Sequence, residues 1–167
     1  MLFRSNTAVG YQAGYNNTIG EITAVGYQSL VSNTTGVYNT AVGIAALYGN
    51  TVGQANTAVG RSSLATNSSG SYNSAFGMYA LNANTTGSYN TAVGYQAGYS
   101  NTIGTFITAI GYQAAYADNK SAGTTVAIGH AALKANTTGQ DNVAIGGYNT
   151  LAGNTTGSYN IGIGREA

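Results

Sequence analysis

Few side chains in this sequence could carry acid–base or metal chemistry. The acids are Glu21, Asp118, Asp141 and Glu166, and His130 is the single histidine. Glycosidic hydrolysis needs two carboxylates within about 10 Å of each other. Asp118 and Asp141 are the one pair close enough in sequence to be tested against that requirement. Asp141 sits at a place held elsewhere by Tyr or Ala, where a solvated turn is the expected role. The counterparts of His130 include Arg61, Met78 and Arg165, which marks a surface position rather than a base or a ligand. With no Cys and one His, a first-row metal site within one chain lacks its ligands. No residue is therefore expected to be catalytic, metal-binding or cofactor-binding, and no cofactor is implied.

Composition narrows the classes further. Charged residues make up 5 % of the 167, against roughly 25 % in ordinary soluble domains. Arg4, Arg61, Lys120, Lys134 and Arg165 are scattered and the formal net charge is +1, so there is no clustered basic face for nucleic acid. No apolar run reaches the ~18 residues of a membrane span, and membrane insertion of this segment is not expected. Pro is absent, whereas Gly occurs 25 times and Tyr 14 times.

The dominant signal is an internal repeat. A small-apolar-Gly motif recurs at Gly10, Gly26, Gly43, Gly60, Gly77, Gly94, Gly111, Gly129, Gly146 and Gly164, at intervals of 16 to 18 residues. A second set of glycines closes "NTTG"-like turns, at Gly20, Gly36, Gly53, Gly70, Gly87, Gly104, Gly123, Gly139 and Gly157. Extra residues enter only between a motif glycine and the next turn glycine, and the longest such stretch is "YADNKSAG" (116–123). Units one to five also resemble units six to ten, and "NTAVGYQAGY" appears verbatim at 6–15 and 90–99. Residues 1–5 form a non-repeat leader, read as cloning- or sequencing-derived. Residues 6–167 are one array, expected to be a fragment of a longer fibre.

A 17-residue unit is too short for a helix pair, and Gly, Asn, Thr, Ser and Val favour short strands between turns. The expected fold is all-β: a parallel β-solenoid, or β-roll, of about ten coils. In "VAIG" (126–129 and 143–146) Val and Ile share one face and Ala and Gly the other. The branched face is expected inside the coil, leaving a bare Ala/Gly face for another chain. Asn39, Asn56, Asn73, Asn90, Asn142 and Asn160 are placed to form amide ladders between coils.

"NVAIG" (142–146) and its "NTAVG" relatives resemble the head repeats of trimeric autotransporter adhesins. The longer unit, "NTAVGYQAG" (90–98) with "NTTGSY" (84–89), is similar to repeats of bacteriophage tail fibres. The resemblance implies a left-handed roll that assembles as a homotrimer, located on a virion or a bacterial surface. It also implies a cell-surface glycan or protein receptor. No stalk, membrane anchor or chaperone domain is seen.

Recognition is expected where the repeat breaks or where aromatic rings gather: Tyr116, Asp118, Asn119 and Lys120 in the insertion, and Tyr11, Tyr27, Tyr95 and Tyr112 after the motif glycines. Tyrosine offers apolar, hydrogen-bonding area suited to sugars or proteins, although stacking that stiffens the rod is the plainer role. A structural and adhesive fibre segment is the leading function. An ice-binding solenoid is the alternative; it needs outward threonines on every coil, whereas the laddered Thr here gives way to Val143 and Ile161, which points to burial. A polysaccharide-cleaving enzyme ranks third. Calcium-binding rolls need an Asp in every nonapeptide, which is missing, and hexapeptide acyltransferase solenoids need an aliphatic residue every six positions.

Overall fold

Parallel, in-register stacking of every repeat on the next defines the architecture. A computed structural model describes residues 5–19, 21–119 and 123–167. Gly20, Lys120 and most of the leader lie outside the described residues. One strand forms per unit: β1 (Thr7–Val9), β2 (Ile22–Val25), β3 (Asn39–Val42), β4 (Thr57–Val59), β5 (Ser74–Phe76), β6 (Thr91–Val93), β7 (Ile107–Ile110), β8 (Thr125–His130), β9 (Asn142–Tyr148) and β10 (Ile161–Ile163). They make a single ten-stranded sheet in sequence order. All neighbours are parallel, with Thr57 opposite Ser74, Ala58 opposite Ala75 and Val59 opposite Phe76. The described residues contain no helix, and the chain winds through about nine turns.

The inside and outside of the strand are the reverse of the sequence expectation. Ala24, Ala41, Ala58, Ala75, Ala92, Ala109, Ala127 and Ala144 are fully buried, at 0 % exposure. The Thr and Val on either side of each Ala point outward. The reason is volume. Across the coil from the Ala row stand Leu30, Leu47, Leu64, Leu81 and Leu133, also fully buried. A loop of 17 residues is too thin to hold a Leu row and a Val row face to face, so the smallest side chain turns inward. The motif glycines do meet another backbone, but it is the next coil's. A Cβ on Gly60 would lie 2.7 Å from the carbonyl oxygen of Gly77, and φ there is +129°. Chain contact between bare faces is therefore replaced by coil contact within one chain.

Coils one and six depart together. Gly14 and Gly98 stand where most coils have Leu (Ala115 is the other exception), and Ile22 and Ile107, both buried, stand where most have Asn (Thr125 is the other exception). A Cβ on Gly14 would meet the Ile22 Cδ1 at 2.8 Å, so in coil one the Ile occupies the space that the missing Leu leaves, whereas at Gly98 a Cβ would meet the Leu81 Cδ2 of the preceding coil at 2.9 Å. The verbatim phrase "YQAGY" is thus tied to a packing variant of the coil.

Between strands the backbone turns by alternating left-handed residues. Gln28 (φ +52°) donates its N–H back to Tyr11, and Leu30 (φ +51°) donates forward to Ala46. The same two-way pattern recurs at Ala45 and Leu47 and at Ser62 and Leu64. A third left-handed position precedes the strand, at Tyr38, Ala55, Tyr72, Tyr89, Phe106, Asp141 and Tyr159. Among the described residues, none of the non-glycine residues with positive φ is β-branched. A second substituent on Cβ would press on the backbone in that region, where even an unbranched side chain costs about 1–2 kcal/mol. Ala45 (φ +54°) is half-buried and isolates the effect. Ala45→Val should destabilise the rod by about 1–2 kcal/mol or more, whereas Ala45→Gly should be neutral or stabilising. Chemical unfolding of the two variants beside the parent checks this.

Candidate functional surface

Polar residues inside the coil are structural, and the chemistry available outside is apolar and aromatic. Two Asn rows fill the polar part of the core, one in the turns and one two residues before the alanines on the same strand face. In the first, Asn50 Nδ2 donates to Asn33 Oδ1, Asn67 to Asn50, and Asn84 to Asn67, each at 2.7 Å. The same amide also donates to the turn carbonyl of its own coil, as in Asn67 to Gly70 at 2.9 Å. The second row is the one expected from sequence. There Asn56 Nδ2 donates to Gly70 at 2.9 Å, while Asn56 Oδ1 accepts the Asn73 backbone N–H at 3.0 Å. The turn carbonyls of Gly53, Gly70, Gly87, Gly104 and Gly157 thus each take two amides, and among the described residues no buried side-chain nitrogen or oxygen lacks a partner. A methyl at Gly70 would run into the Gly87 carbonyl oxygen and the Asn67 carboxamide, and Gly36, Gly53, Gly87 and Gly139 are crowded in the same way without a positive φ.

Asp118 belongs to this interior and not to a recognition loop. It is fully buried, takes the place that Asn101 and Asn136 hold in adjacent coils, and accepts the Thr125 hydroxyl at 2.6 Å. Asn119 is exposed, but its Oδ1 accepts the Thr102 N–H at 2.8 Å and the Thr102 hydroxyl at 2.6 Å, closing the preceding coil's turn. Tyr116 is half-buried and stacks on Tyr99 with ring centroids 5.2 Å apart. Lys120 lies outside the described residues. Asp141 is half-buried on the outer side, where its Oδ1 accepts the Thr124 N–H at 2.9 Å. The two aspartates therefore sit on opposite sides of the coil wall, and the described residues form no pocket between them or elsewhere. No group of three or more His, Cys, Asp or Glu among the described residues could hold a metal ion.

The tyrosines after the motif glycines are exposed and stacked. Tyr11 lies 5.3 Å from Tyr27, and Tyr95 lies 5.4 Å from Tyr112. The second row continues through His130, 4.9 Å from Tyr112, to Tyr148, 4.8 Å from His130. Arg165 lies over the Tyr148 ring at 5.9 Å. Tyr148, not Gly147, continues the row, because Gly147 is absorbed in an irregular step of the β8–β9 pairing. The aromatic residue one place late in "GGYN" was the signal for it. Stacked rings cover each other's faces. A sugar ring, which packs on an aromatic face, finds only edges and hydroxyls within these rows.

The largest available surface is the outer face of the sheet. Thr7, Thr23, Thr40, Thr57, Ser74, Thr91 and Thr108 form one row, continued by Val126, Val143 and Ile161. Two residues on, Val42, Phe76, Val93, Ile110 and Ile145 are all exposed. No helix among the described residues is long and apolar enough to cross a membrane. Comparisons of the chain with protein-family models, with curated proteins and with solved structures find no match.

Asp118 gives the test of the interior reading. Asp118→Asn inserts the residue used at that place in adjacent coils, and its unfolding midpoint should equal or exceed the parent's. Asp118→Ala leaves the buried Thr125 hydroxyl without this acceptor and should cost about 1–3 kcal/mol in thermal unfolding.

Proposed function

We propose that this chain is a structural and adhesive segment of a fibre, of the kind found in phage tail fibres and bacterial surface adhesins. Its role is to supply a stiff rod for host or surface attachment outside the cell. The observation that carries the reading is the outer sheet face. A row of Val, Ile and Phe stands exposed along nearly the whole sheet, next to a row of Thr. Contiguous apolar surface of this kind marks a protein interface. Its most natural cover is the same face of another copy, since an identical 17-residue period keeps two rods in register over their full length. Three copies packed face to face, in the left-handed sense that the repeat resemblance implies, would enclose the aliphatic rows on a common axis. The Tyr rows beside the face would then be left to meet a glycan or protein receptor at their edges.

The Thr row gives a second reading its specific support. The structure turns the laddered threonines outward, which removes the objection that they are buried. Six Thr and one Ser on flat, evenly spaced strands form a surface that could order water as an ice-binding plane does. The row changes to Val126, Val143 and Ile161 in the last three coils, and Phe76 protrudes from its neighbour. Both features favour the fibre.

Sedimentation of the purified chain separates the readings. A mass of three chains is expected, and a stable single chain would overturn the trimer. Val59→Asp with Val93→Asp should lower the mass about threefold by placing carboxylates in the apolar row, with the strand signal in circular dichroism retained. Thermal hysteresis and faceted ice growth by the parent chain would instead establish the ice-binding function.

A further inference from the structure

We propose that tyrosines stacked between consecutive coils are sites of oxidative coupling, joining coil to coil through dityrosine. Two pairs have the geometry for it at places independent of the sheet's outer face. Tyr72 and Tyr89 stack with centroids 5.1 Å apart and planes 4° from parallel. Tyr99 and Tyr116 stack at 5.2 Å and 6°. In each stack the two phenol rings are held one coil apart with nearly parallel planes, and rotation about the side-chain torsions can swing an ortho carbon of one ring against that of the other. Tyr72 and Tyr89 are both more than half exposed, so a diffusing oxidant reaches them. The backbone cannot separate the rings, because the coils that carry them are hydrogen-bonded together: Tyr89 donates its N–H to Ser71, and Ser100 donates to Tyr116.

Composition directs oxidation to these rings. The chain contains no Cys and no Trp, the side chains that would compete for one-electron oxidation, and the exposed Met78 takes up oxygen in a two-electron step that forms no link. Built-in contrasts exist. Tyr79 meets Tyr95 edge-on at 75° and Tyr99 at 83°, and neither arrangement sets ortho carbons against each other. Tyr15, Tyr48 and Tyr159 are exposed and make no ring stack.

The chemistry balances with a peroxide as oxidant. Each tyrosine gives up one electron and its phenolic proton to become a tyrosyl radical. The two radicals form one carbon–carbon bond between ortho positions, and each ortho hydrogen then moves to the phenol oxygen. The pair loses two protons and two electrons in all, and these reduce one hydrogen peroxide to two waters. The product closes a loop of one coil, so that unwinding either coil first requires the covalent link to be carried along.

The experiment treats the dilute whole chain with a peroxidase and hydrogen peroxide, then maps linked peptides by mass spectrometry. Expected is a loss of two hydrogens per link, with Tyr72–Tyr89 and Tyr99–Tyr116 as the main products at a yield per chain that does not fall on dilution. Tyr89→Phe keeps an aromatic stack, since Phe106 already extends that row. It should abolish the first link and spare the second. The linked parent should unfold at a higher temperature than the unlinked chain. Links involving Tyr15, Tyr48 or Tyr159 in comparable yield would overturn the assignment. So would products formed only between chains, oxidation without coupling, or an unchanged unfolding midpoint.

Discussion

Each residue of this rod stands over its own counterpart one sheet spacing away, about 4.8 Å. That constraint decides which side chains the sequence admits. Like charges stacked at this distance repel by close to 1 kcal/mol even in water, and by more where water is excluded. Accordingly, charged residues occur singly. Arg61 lies between Ile44 and Met78, and Lys134 lies between Tyr116 and Ala152. Side chains that gain from self-stacking take their place: the carboxamide, which both donates and accepts, the phenol ring and the methyl group. The absence of proline has the same origin. Most backbone N–H groups around the coil are spent on the next or the previous coil and others close turns within it, and a residue without one would break either kind of bond.

The two glycine sets answer the same spacing in different ways. At the motif glycines other than Gly146 the chain takes a φ near +130°, and from Gly10 to Gly129 the next coil's carbonyl comes within contact. At turn glycines such as Gly53, Gly70 and Gly87 φ is ordinary, and the requirement is room for two Asn amides that converge on one carbonyl. The left-handed non-glycine positions show a third solution, in which the strain is accepted and only β-branched residues are kept out. Such positions are held because hydrogen bonds to both adjacent coils fix the backbone on either side.

The period, the parallel solenoid and one of the two Asn rows were legible in the sequence, because repeat spacing reports topology directly. The direction of the strand was not. Alternation places Thr and Val on one face and Ala on the other, but does not say which face is inside. Hydrophobicity argues for burying Val, whereas the width of a 17-residue loop, already filled by Leu47 and Leu64, admits only Ala. Asp118 misled for a related reason. A charged residue beside an insertion reads as a surface group, and only its alignment with Asn101 and Asn136 reveals an interior place. The first Asn of "NTTG" sits in a turn sequence with no outward mark of burial, yet it supplies the continuous amide-to-amide ladder.

The amide rows also share one sense. In every ladder from Asn33 to Asn101 the later coil donates and the earlier coil accepts, and Gln28 to Gln12 and Gln113 to Gln96 follow the same direction. Carboxamide dipoles aligned head to tail add, as peptide dipoles do in a helix. A chain with almost no net charge is therefore an electrically directional object, positive toward its first coil and negative toward its last. Asp118, which carries a carboxylate in place of the amide, interrupts that alignment after Asn101 and divides the polarised interior into two unequal lengths.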